Sequence, residues 1–86
     1  MSEISRFFGI VIRMYFDDHD PPHFHAIYGG EEAQIGIEPI AVLNGNLTGR
    51  ALSMVIEWAA LHQRELQGNW QRLRADQPPS KIVPLR

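Results

Sequence analysis

The chain has 86 residues, a formal net charge of −2 and no cysteine. A chain of this length builds one hydrophobic core, so a single domain over residues 1–86 is expected. The missing thiols exclude a disulfide framework or a thiolate metal cluster, and the net charge argues against wholesale nucleic-acid binding by phosphate neutralisation. Residues 1–46 hold seven acids against two bases, and residues 47–86 three acids against six bases. Arg64, Arg72, Arg74, Lys81 and Arg86 could therefore form a basic patch for RNA or an acidic protein, but the expected role is to complement the acidic half of the same fold.

The opening stretch, MSEISRFFGIVIRMYF, carries Glu3, Arg6 and Arg13 within its apolar residues. It is too short for a membrane span and lacks a small-residue cleavage site, so a cytoplasmic protein is expected. Within it, GIVIRMYF sets Ile10, Ile12, Met14 and Phe16 against Val11, Arg13 and Tyr15, the alternation of a half-buried strand. HFHAIY alternates Phe24, Ala26 and Tyr28 against His23, His25 and Ile27, and AQIGI alternates Ala33, Ile35 and Ile37 against Gln34 and Gly36. Gly29 and Gly30 between them suit a tight hairpin turn.

Pairing Tyr28 with Glu31 across that turn sets Ala26 opposite Ala33, Phe24 opposite Ile35, His25 opposite Gln34 and His23 opposite Gly36. Both histidines then share the face opposite Phe24, away from the main core. An even-length link from the first strand would bring Met14 opposite His25 and bury the wrong face. An odd-length link or a bulge is therefore expected, with Arg13 and Tyr15 beside His25.

AVL ahead of Asn44-Gly45-Asn46 is a candidate fourth strand, set off by Pro39. From Thr48, a candidate N-cap, Leu52, Val55, Ile56, Ala59, Leu66, Trp70 and Leu73 recur three or four apart. They predict one long helix to about Arg74, ended by Pro78 and Pro79 and interruptible at Gly68-Asn69. A second stripe, Ala51, Met54, Trp58 and Leu61, widens its apolar arc. Either the segment around Phe7 and Phe8 and the tail KIVPL cover it, or Met54, Trp58 and Leu61 meet a companion protein or another copy. The expected fold is α+β in two layers, a three- to four-stranded antiparallel sheet with a central hairpin packed against one long C-terminal helix.

The densest chemistry is DDHDPPHFH, residues 17–25, with three imidazoles and three carboxylates about a proline pair. Two strand residues apart, His23 and His25 can present two nitrogens to one ion, with His19, Asp18 or Asp20 completing the set. Zinc, manganese, iron or nickel would suit such donors, and the lack of sulfur points away from a closed structural cage. A metal-free alternative uses His25 as acid or base, with Arg13 holding an anion and Tyr15 donating a proton. His62, one turn after Trp58, reads as a boundary packing residue rather than a ligand.

ISRFFGIVIRMYFDDHDPPHFHAIYG, followed by ALSMVIEWAALHQRELQGNW, resembles the small bacterial family known as domain of unknown function 4160, and the resemblance covers nearly the whole chain. Its specific part is PPHFH with the preceding Asp-His. The resemblance implies a small protein encoded beside a companion, an arrangement that looks like a toxin and antitoxin pair, and it carries over no catalytic residues. Two functions stay open: a metal-dependent or acid/base hydrolase of toxin-like character, and a non-catalytic interaction module with no metal site.

Overall fold

The computed structural model describes residues 3–86. Among these, five strands precede two helices: β1 (Glu3–Phe7), β2 (Ile10–Arg13), β3 (His23–Tyr28), β4 (Glu31–Gly36), β5 (Val42–Gly45), α1 (Gly49–Leu61) and α2 (Gln63–Arg74). The strands form one antiparallel sheet in the order β1-β2-β3-β4-β5. The α+β class holds, with a larger sheet and a divided helix.

The central hairpin has the expected register. Tyr28 pairs with Glu31, Ala26 with Ala33, His25 with Gln34 and His23 with Gly36, and Gly29 takes the positive φ, 60°, that the turn requires. Arg13 pairs with His25 and Ile12 with Ala26, so the link over residues 14–22 is of odd length and Met14 stays in the core. The strand expected to run to Phe16 stops at Arg13, and Phe16 turns outward, 46 % exposed.

β1 is the strand that the pattern did not announce. Arg6 and Phe8 point outward while Ile4, Ser5 and Phe7 are buried, so the segment lacks a clean alternation, and its pairing with β2 shifts register between Glu3 and Ser5. β5 extends the fourth candidate strand through Gly45, with all its residues exposed at the sheet edge.

The single long helix is corrected to two. His62, at φ −122° and ψ 24°, leaves helical geometry, and its N–H bonds back to the carbonyls of Trp58 and Ala59 while its own carbonyl starts α2. Gly68 and Asn69 lie inside α2 instead of breaking it. Asn69 is retained for tertiary bonding: its side chain exchanges two hydrogen bonds of 2.8 Å with the backbone of Ser80. Thr48 is the N-cap residue, but its side chain makes no cap bond and its N–H donates to Glu31 Oε1.

The second apolar stripe is covered from within the chain. Trp58, proposed from sequence for a partner interface, is fully buried; its ring packs against Phe7 and Phe24 and its Nε1 donates to the Val83 carbonyl at 2.9 Å. The tail is held in turn by Ile82, buried with its N–H on the Ile4 carbonyl. Met54 packs half-buried on the core, leaving Leu61 of that trio exposed. No described helix is long and apolar enough to cross a membrane.

Candidate metal centre

His23 and His25 leave β3 on the same side because side chains alternate along a strand, and their ring centroids lie 5.1 Å apart. Both residues are only 6 % exposed. The sequence placed this face away from the helix layer; instead α2 reaches round to it, and Trp70 lies 5.4 Å from the His23 ring. The Tyr15 ring stands edge-on to His25 at 4.7 Å.

The link between β2 and β3 supplies the third group. Asp18 sits in a turn in which its N–H meets the Tyr15 carbonyl and its Oδ2 accepts the Tyr15 N–H at 3.1 Å. The guanidinium of Arg74, at the end of α2, donates to the carbonyls of both Phe16 and Asp18. These bonds turn the Asp18 carboxylate inward. Its oxygens stand 3.2 Å from His25 Nε2, and Oδ1 stands 3.6 Å from His23 Nε2. One donor atom from each of Asp18, His23 and His25 falls within 4.8 Å of the other two.

The outer partners fix which nitrogen carries the proton. His23 Nδ1 lies 2.9 Å from the Pro21 carbonyl, which can only accept, so Nδ1 donates and Nε2 is left with a lone pair toward Asp18. His25 has a carboxylate at each nitrogen, and the shorter contact, Nδ1 to Glu32 Oε2 at 2.9 Å, is the better place for the proton of a neutral ring. A neutral His25 would then set an Nε2 lone pair against the carboxylate oxygens of Asp18, which is repulsive. Two states relieve it: an imidazolium donating to both acids, or a cation between Nε2 and the carboxylate. A histidine whose second nitrogen donates to a carbonyl or carboxylate has the outer support typical of a metal ligand.

The remaining candidates divide. His19 and Asp20 are exposed and lie outside the converging trio, although they line the same open cleft, of about 520 Å³, with Asp17, Asp18, Pro21, His23, Gln34 and Leu43. Arg13 is half-buried on the strand beside His25. His62 stacks near Trp58 and bonds Glu65, far from any ligand role.

Sequence reasoning missed Glu32, Trp70 and Arg74. Glu32 was within reach of it: Ile27 pairs with Glu32 and His25 with Gln34, so Glu32 is the diagonal neighbour of His25 on one face. Trp70 and Arg74 meet the site only through the docking of α2, which no local pattern encodes.

The family described as Domain of unknown function (DUF4160) matches residues 9–71. The chain belongs to that family. The DUF4160 match spans β2 through most of α2, so it contains Asp18, His23, His25 and Glu32 and stops short of Arg74. No curated protein and no solved structure matches the chain.

Proposed function

We propose that Asp18, His23 and His25 hold one divalent transition ion and that the protein is a small metal-dependent hydrolase. Two imidazoles and one carboxylate suit zinc, iron, manganese or nickel, and three protein ligands leave coordination positions open, the arrangement of a working site rather than a structural one. The observation that carries this reading is the placement of the ring nitrogens: His23 Nδ1 lies against the Pro21 carbonyl and His25 Nδ1 against Glu32, so both Nε2 atoms face the Asp18 carboxylate. An ion there would supply Lewis acidity and an activated water. The cleft beside it holds His19, an imidazole suited to moving a proton at the rim.

A toxin-like role within a two-gene module is the finer form of this reading and rests on the family resemblance. The competing reading, an interaction module, draws on the β5 edge, where Val42 and Leu43 are 41 % and 46 % exposed and a companion protein or a second copy could pair.

Elemental analysis of untagged protein tests the proposal. About one equivalent of transition metal is expected after purification or reconstitution, and none in the His23→Ala/His25→Ala variant. Wild-type protein that stays folded and binds no ion would favour the interaction module.

A further inference from the structure

The cleft that Asp18 and His23 line carries a charge of its own. Resting on the metal reading, we infer that the site takes small uncharged or cationic substrates and rejects anions, phosphodiesters of nucleic acid included. Asp17, Asp18 and Asp20 line the cleft, and no lysine or arginine among the described residues does. A divalent ion added to these three carboxylates leaves the cleft wall net negative, at −1.

The two nearest guanidiniums do not reverse that sign at the mouth. Arg74 keeps its charge, but it is held on the carbonyls of Phe16 and Asp18 and over the Trp70 ring, 4.6 Å from its centroid, and does not line the cleft. Arg13 is half-buried in β2 and is not part of the cleft wall. Sites that process phosphodiesters gather cations about the scissile group, and nucleic-acid binding depends on neutralising several phosphates. Here the approach is lined by carboxylates, with Gln34 and Leu43 supplying a hydrogen-bonding amide and an apolar wall for an uncharged group. Negative walls of this kind repel an incoming anion and concentrate cations.

Cobalt(II) replaces the native ion as a visible reporter, and its bands are followed while imidazole, neutral at mildly alkaline pH, or inorganic phosphate is added. Imidazole is expected to bind the cobalt protein and phosphate to bind weakly. In Asp17→Asn/Asp20→Asn, which alters two exposed side chains, phosphate affinity should rise about tenfold at low ionic strength while imidazole affinity stays within about twofold. Sodium perchlorate added to the wild-type protein should raise phosphate affinity relative to imidazole by screening the same charges. Phosphate affinity unmoved by both the substitutions and the salt would overturn the inference while leaving the metal site standing. A protein that gives no cobalt bands would overturn the metal reading and this inference together.

Discussion

Asp18 contributes to the site through its charge, its backbone and its position, and these separate on substitution. Asp18→Asn keeps the shape and still accepts the Tyr15 N–H, and the Asp18 carbonyl still receives Arg74, but the anionic oxygens between His23 and His25 are lost. Metal affinity should fall further than the roughly 10–100-fold expected for Glu32→Ala, which removes only an outer partner of His25. Competition titration against a chelating indicator measures both. Equal losses would mean that Asp18 is not a ligand. The two histidines were legible in the sequence because strand alternation dictates where they point. The choice of Asp18 over His19 and Asp20 was not, since an irregular link has no period and its orientation is set by bonds to Tyr15 and Arg74.

Two glycines of opposite character test the elements that carry the site. Gly45, at φ 74°, ends β5, and a Cβ there would come within 2.2 Å of the Glu32 carbonyl, an atom of the adjoining backbone that also accepts the Asn46 N–H. Gly45→Ala combines left-handed strain with a clash that only separation of β5 from β4 relieves, and should cost about 2–4 kcal/mol. Gly68 lies exposed in α2 with nothing near its missing Cβ, so Gly68→Ala should stabilise by about 0.5–1 kcal/mol through helix propensity. Thermal unfolding should show a lowered midpoint for the first and a raised one for the second; a rise in both would refute the tight β4–β5 approach. At this scale the hairpin register followed from apolar pairing alone. The helix boundary did not: Gly68 and Asn69 look like the weak point, yet the chain bends at His62, and Asn69 stays helical because Ser80 satisfies its side chain. β1 escaped notice because Ser5 is buried where a polar residue was expected to face outward.

Across the whole molecule, the proposed ligands come from residues 18–25, but distant parts of the chain hold them in place. Arg74 reaches back over 58 residues to the Phe16 carbonyl, and the Trp70 ring contacts both its guanidinium and His23, so this tie between the two halves runs through neutral carbonyls and a ring and not through paired charges. An ion that prefers the native arrangement over the same residues in the flexible unfolded chain should stabilise the native state by mass action: at most about 2.7 kcal/mol at a free concentration one hundred times the dissociation constant, less whatever the unfolded segment binds. For a domain of this size that is a rise in Tm of at most about 10–20 °C. Arg74→Ala frees the Phe16–Asp18 backbone and removes two hydrogen bonds and a ring contact, so its Tm without metal should fall by several degrees and the metal-induced rise should also shrink. Arg74→Lys should restore only part of that rise, because an ammonium is a point charge and does not reproduce the planar fork that spans two carbonyls. Zinc-dependent thermal unfolding of the three proteins decides the matter: a rise of the same size in all of them would show that α2 does not position Asp18, and that the Tyr15 bond alone sets its direction.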